Sequence, residues 1–265
     1  RPGWRVIAFY GPCHGPPMEV REVLESFAKG DISAEEAETA LRLDYLERVG
    51  DSFVFDNSRS LRKGVPEVVY ALPKTPEQVA AIAAAAKGFI LISKASREHF
   101  DAVSSVRPEA VYDGRSGIIS IGEYPPGDSG TIGILAAGTS DIPVAEEARL
   151  MAASMGVSSI TFYDVGVSAV HRLSGPLSAL EEADVDAIIV AAGMEGTLPT
   201  LVASLTGAPV VGLPVSTGYG IGGGGAAALL SILQTCSPGL TAVNVDNGIG
   251  AGAAAATIAL RRGGR

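Results

Sequence analysis

From Thr131 onward the apolar positions fall into short continuous runs: "TIGILAAG", "SITFYDVG", "AIIVAAG", "APVVGLPV" and "LTAVNVDN", each separated from the next by a helical stretch. Strands that are apolar on both faces need cover on both, so this alternation predicts a parallel sheet wrapped by helices. Upstream the pattern is less regular. Helical spacing predicts helices over 18–29 and 34–47, the second opening with Ser33 and, three residues on, Glu36 in a capping-box arrangement. Strand-like runs follow at "SFVFD", "EVVYAL", "GFILIS" and "GIISIG", with helices near 75–87 and 96–104. "EYPPGDSG" suits neither helix nor strand and reads as a connection. The expected organisation is α/β: a smaller α/β domain over 18–123, a linker at 124–130, and a doubly wound parallel-sheet domain over 131–265. A clean helical pattern opens at Met18, which sets residues 1–17 apart as a leader, either upstream of the true start or a disordered tail.

Composition narrows the function classes. Hydrophobic residues make up 47% and aromatics 6%, with 33 glycines, as in an Ala/Gly/Val-rich α/β protein rather than a disordered chain. A formal charge of −9 argues against a nucleic-acid partner. Two cysteines cannot build a disulfide framework and nothing reads as a zinc site, so a reducing cytoplasm fits. The longest apolar run, "VAAIAAAAKGFILI", is broken by Lys87 and Gly88 and is short of a membrane span. The leader lacks the apolar core of a secretory signal.

In a parallel α/β sheet ligands bind at the carboxyl ends of the strands, so the residues after each run carry the chemistry. The first run ends in "AAGTSDIP": the Gly138 turn and the following helix offer N–H groups to an anion, while Ser140 or Asp141 can cap that helix and Pro143 suits its first turn. The second leads through Asp164 to His171 and Arg172. An arginine beside a phosphate turn can bind it bidentately, and a histidine can titrate near neutrality; without further context, a helix-surface pair is the preferred reading. The third ends in "AAGMEGTLP", where Glu195, after Gly193, can serve as a base, orient water or bind a cation, or be a solvated loop residue. The fourth gives a glycine run containing Gly222 and Gly223, suited to close backbone approach to a ligand or to a hinge. No Gly-Lys-Ser/Thr follows, so it is not a Walker loop.

Cys236 stands after a helix that begins near Ala226. Helix C-termini carry partial negative charge and disfavour a thiolate, so a nucleophilic Cys236 needs activation from His171, an arginine or a cationic substrate. Taken alone, a free cysteine is more often buried packing.

The order of these motifs resembles a known family. Residues 131–260 resemble the PurE-type aminoimidazole ribonucleotide carboxylases: "GTSD" their phosphate turn, "SAVHR" their Ser-Ala-His-Arg segment, and "EGTLPTLVASLTGAPVVGLPV" their Ala-Ala-His-Leu-Pro stretch and next strand. Thr197 stands where that family has its catalytic histidine. Nearly all of 18–260 is similar to the LarB family of nickel-pincer nucleotide cofactor biosynthesis, through "DNSRSLRKGVPEVVYALPKT", "AAGTSDIPVAEEA", "YDVGVSAVHRL", "AAGMEGTLP", "TGYGIGGGGAAALLSILQTCSPG" and "NVDNGIGAG".

That resemblance implies a PurE-like, flavodoxin-like catalytic domain. It implies an enzyme that carboxylates nicotinic acid adenine dinucleotide at the second meta position of its ring, with carbon dioxide or bicarbonate as donor, and hydrolyses the phosphoanhydride to release AMP. Cys236 would attack the pyridinium ring; Glu195 would move a proton or orient water, with His171 in support. Ser140, Asp141 and Arg172 would hold the phosphoribosyl part, with Asp164 a supporting polar group. Gly138, Gly193, Gly222 and Gly223 would be substrate- or phosphate-binding positions, and Asp56, Arg59, Arg62 and Lys63 would meet the phosphates or adenylate side. No organic cofactor is expected. Magnesium is a candidate helper for anhydride cleavage, although no carboxylate cage dictates it. A homo-oligomer, an octamer by resemblance, with sites near subunit boundaries is implied. A PurE-like enzyme on another ribonucleotide, or a non-catalytic nucleotide sensor, are the competing readings.

Overall fold

The structure, a computed structural model, describes residues 20–34, 36–37, 46–49, 53–56, 64–86 and 88–263. The leader, Arg59, Arg62 and Lys63 lie outside them. The chain divides into two compact units, 1–57 and 58–265.

In the first unit, α1 (Val20–Lys29) is followed by the expected capping box: Glu36 Oε2 accepts from the Ser33 N–H and hydroxyl at 2.8 Å, and Ser33 Oγ accepts from the Glu36 N–H at 3.2 Å. The predicted helix does not reach 47. Residues Leu46–Val49 form β1, paired antiparallel with β2 (Phe53–Asp56), Leu46 opposite Asp56. Helical spacing alone could not anticipate a pairing partner: the ladder with the β-prone Phe53-Val54-Phe55 run overrides the weak local preference for helix.

The second unit begins with a four-stranded sheet, order β3-β4-β6-β5: β3 (Glu67–Tyr70), β4 (Ile90–Ser93), β5 (Val111–Asp113) and β6 (Ile118–Ile121). Helix α2 (Pro76–Ala85) carries the parallel crossover from β3 to β4, its start fixed by a Thr75/Gln78 capping box. Helix α3 (Arg97–Val106) precedes β5. Tyr124 then packs edge-on against Phe89, with centroids 4.9 Å apart, and the Pro-Pro segment is tied down by bonds from Ser158 Oγ to the Gly127 carbonyl and from the Ser129 N–H to the Gly156 carbonyl.

The larger sheet is wholly parallel, order β11-β10-β9-β7-β8: β7 (Thr131–Ala136), β8 (Ser158–Phe162), β9 (Ala187–Ala192), β10 (Val210–Pro214) and β11 (Leu240–Ala242). The chain goes from β7 outward to β8, then back across to β9, so the order reverses between β7 and β9. There diverging loops open a crevice at the carboxyl edge. All of β9 and β10 is buried, which is why their sequences are continuously apolar rather than alternating. The helices are α4 (Ile142–Ser154), α5 (Ser174–Glu182), α6 (Thr197–Leu205), α7 (Ala226–Leu233) and α8 (Gly248–Gly263).

Helix α8 lies closely on α4. A Cβ on Gly252 would sit 2.4 Å from the Ala148 carbonyl oxygen, so only glycine permits the approach. Leu91 and Ile118 of the four-stranded sheet share one core cluster with Ile132, Ala148, Met151 and Ala255. The two sheets therefore rest on common hydrocarbon.

Candidate active site

At the carboxyl edge of the larger sheet one buried carboxylate ties together three loops, those after β7, β9 and β10. After β7 the chain makes a 3-10 turn, Thr139–Asp141, and Asp141 is 5% exposed. Its Oδ2 accepts the Gly138 N–H at 2.8 Å, and its Oδ1 accepts the Thr217 hydroxyl at 3.0 Å. Asp141 does not bond the N-terminal N–H groups of α4; its carboxylate turns back into its own loop, while Pro143 takes the first turn of α4 as expected. Burial raises the Asp141 pKa above the ordinary aspartate value; bonds from Gly138, Thr217 and Gly193 oppose the shift, and the charge of Asp246 adds to it. Ser140 is exposed on the same turn.

The loop after β8 presses on this turn: a Cβ on Gly166 would meet the Ala137 carbonyl oxygen at 2.7 Å. Asp164 has left-handed backbone, φ 58, and accepts a hydrogen bond from Arg172 Nη1. Arg172 lies in the 3-10 segment Val167–Leu173, and its Nε is buried with no hydrogen-bond partner among the described residues. His171 is exposed.

After β9, Gly193 meets the loop after β10 so closely that a Cβ would stand 2.5 Å from Thr217 Oγ1. Met194 and Gly196 both take positive φ, 44 and 63, and between them Glu195 is turned out, exposed, at the start of α6. Gly222 and Gly223 form turns before α7, the Ala227 N–H bonding the Gly222 carbonyl at 3.1 Å. A Cβ on Gly222 would lie 2.3 Å from Ala227 Cβ, so this glycine makes room for the chain's own helix.

Gly138, Ser140, Asp141, Asp164, Arg172, Gly193 and Glu195 are therefore neighbours around the switch point. Cys236 is elsewhere. It precedes β11, and the start of β10 is bonded to the residue just before β11 (Val210 N–H to Gly239 carbonyl, 2.9 Å), so Cys236 lies at the amino edge of the sheet. With five residues in β10, the two edges are about 17 Å apart. Contrary to its isolated reading as a packed thiol, Cys236 is exposed. It follows a helix whose Leu230 and Leu233 are each 65% exposed, so no protein lies over that surface within the described chain. Of the residues assigned to the adenylate side, Asp56 ends β2 and the rest lie outside the described residues. Among the described residues no group of three or more His, Cys, Asp or Glu comes together to hold a metal ion, and no helix is long and apolar enough to cross a membrane.

Sequence reasoning did not single out Thr217, which joins the loop after β10 to Asp141; a lone threonine before Gly218 gives no signal until the loops are brought together. Lys94 and Glu147, an ion pair at 2.8 Å between β4 and α4, escaped notice because 53 residues separate them.

The five-stranded flavodoxin-like sheet, with the Gly138–Asp141 turn at its switch point and an Arg-bearing loop after β8, is the domain of a PurE-like carboxylase-type enzyme. Residues 131–262 match the family model described as AIR carboxylase, and residues 47–123 that described as the LarB/PurE-like N-terminal domain. An uncharacterized protein of Methanocaldococcus jannaschii, MJ0165, is 41% identical over 250 residues, covering 91% of this chain and 96% of that protein. The N5-carboxyaminoimidazole ribonucleotide mutase of Thermotoga maritima is 32% identical over 134 residues, covering 48% of this chain and 73% of the mutase. The corresponding mutase of Pyrococcus horikoshii is 32% identical over 90 residues, covering 32% of this chain and 49% of the mutase. With both domains present in this order, the chain belongs to the LarB family.

Proposed function

We propose that this enzyme carboxylates nicotinic acid adenine dinucleotide and hydrolyses its phosphoanhydride, giving pyridinium-3,5-dicarboxylate mononucleotide and AMP. The observation that carries the reading is the exposed Cys236 thiol in a PurE-like domain with Thr197 in place of the catalytic histidine. A pyridinium ring is too electron-poor to attack carbon dioxide. Addition of the Cys236 thiolate beside the ring nitrogen forms a C–S bond and moves a π pair onto nitrogen, cancelling the positive charge. The resulting enamine-like meta carbon forms a C–C bond to carbon dioxide. Loss of the proton on that carbon to a base, for which Glu195 is our assignment, and expulsion of the thiolate restore the aromatic pyridinium. Covalent catalysis thus divides one difficult step into easier ones. Before addition the ring's positive charge favours the thiolate, offsetting the carbonyl end of α7 nearby.

The unpartnered Arg172 Nε supports a phosphate at the Gly138 turn. With Cys236 and Glu195 at opposite edges of one chain, the reaction needs them on different subunits, meeting across a boundary. The exposed Leu230 and Leu233 beside Cys236 suit such a boundary.

The test is incubation of the purified protein with the dinucleotide, bicarbonate and magnesium over a range of pH, with products identified by mass spectrometry. The expected products are AMP and the dicarboxylated mononucleotide; unchanged substrate overturns the reading. Cys236→Ala should abolish carboxylation with the melting temperature little changed, since exposed positions contribute about 0.5 kcal/mol or less. Full activity in that variant rules out the covalent route.

A further inference from the structure

A cavity of about 610 Å³ lies at the seam of the second unit, where β3 and β4 face α4, α8 and the loop after β11. It falls within the range of small-molecule sites, roughly 300–1,000 Å³. Its polar side is built around Glu147, 1% exposed. One carboxylate oxygen, Oε2, accepts from Lys94 Nζ at 2.8 Å, and the Gly248 backbone N–H also supports the carboxylate; Oε1 is buried with no hydrogen-bond partner among the described residues. An unmatched acceptor at this depth is destabilising unless a ligand or water satisfies it. Lys94 and Asp246, also lining the cavity, both hold left-handed backbone, φ 55 and 56. The rest of the wall includes Val68, Ile249 and Ala253, with the ring of Tyr70, 48% exposed, at one side.

The occupant's chemistry follows from the wall. Glu147 and Asp246 repel anions, and Lys94, the cation among the described lining residues, is already paired, so the described wall does not call for a phosphate or a ring carboxylate. An unpartnered carboxylate oxygen asks for an N–H or O–H donor. Branched aliphatic side chains and an exposed tyrosine ring suit a flat, neutral heteroaromatic group. Resting on the function proposed above, we propose that this cavity binds the adenosine half of the dinucleotide, the one part of that substrate that is uncharged, flat and rich in donors. The position agrees: the Ser216 N–H, next to Thr217 in the loop after β10, donates to Asp246 Oδ1 at 2.9 Å, so the cavity adjoins the phosphate-turn loops. A purine amine or ribose hydroxyl would donate to Glu147 Oε1, and the diphosphate would lead from the cavity toward the Gly138 turn.

Isothermal titration of the full chain with AMP, and with adenosine, tests this without relying on turnover. Both should bind, with adenosine retaining most of the affinity. Glu147→Gln, which weakens the acceptor, and Ala253→Phe, which fills the cavity, should each weaken AMP binding by on the order of tenfold or more. Cooperative melting checks that each variant is folded, and Glu147→Gln keeps the test open should Ala253→Phe fail to fold. Absence of AMP binding, or unchanged affinity in both folded variants, overturns the assignment. If the dinucleotide is carboxylated while the variants leave its KM untouched, the cavity assignment fails and the proposed reaction stands. If AMP binding is lost in the variants but the dinucleotide is never turned over, the reaction fails and the nucleoside site stands.

Discussion

Asp141 shows how a residue type can be read correctly and its role missed. The sequence offers it, as an alternative to Ser140, as the cap of the helix that Pro143 opens. The structure gives its two oxygens to Gly138 and to Thr217, 76 residues away, a contact no local pattern encodes. Its pH signature follows from burial. Between the ordinary aspartate pKa of about 3.9 and its raised native value, the folded chain keeps a proton that the unfolded chain has released. The stability contributed by this group therefore falls as pH rises through that window. Asp141→Asn should flatten the curve, gaining on the parent protein as pH increases, in urea titrations across the mildly acidic range. Burial raises the Glu147 pKa as well, Lys94 opposing it, but that slope is common to both proteins and drops out of the difference. Parallel curves would show that Asp141 does not titrate differently on folding.

At the scale of elements, the central strands β7, β9 and β10 were legible because burial on both faces leaves no alternation to misread, and the half-buried edge strands β8 and β11 still read as short apolar runs. The edge strand β5 was not legible: Val111-Tyr112-Asp113 is three residues long with Val111 63% exposed, so it carries almost no apolar signal. β1 was taken for the end of a helix because its ladder partner lies beyond the next turn. The closeness of α8 to α4 was also invisible, since "GAGAAAA" announces small residues but not what they face. Gly252→Ala should lower stability by roughly 1–3 kcal/mol in chemical denaturation, because the added methyl meets the fixed Ala148 carbonyl. The helix-propensity gain of about 1 kcal/mol opposes this but is smaller. A stabilised variant would mean that α8 can shift away at little cost.

For the whole molecule, the sequence names candidate site residues but not where each one stands. Motif order names both Glu195 and Cys236, but parallel topology sends the loop before a strand and the loop after one to opposite edges. The composite site proposed above makes a sharp expectation for mixed assemblies. Neither Cys236→Ala nor Glu195→Gln should be active alone, while co-expressed in equal amounts they should recover about a quarter of parental activity, from random pairing across a two-subunit site. No recovery in isolated mixed oligomers would put both groups in one subunit's site.

The hydrocarbon shared by the two sheets bears on how this protein can be divided. Two family models meet between residues 123 and 131, which invites cutting the chain there. Leu91 and Ile118 are nevertheless fully seated among side chains of the larger domain, with Val68 and Phe89 packed beside them. Severing the chain at that boundary would bare an oily face on each fragment and open the wall of the Glu147 cavity. A sequence boundary can mark ancestry without marking a place where a protein comes apart.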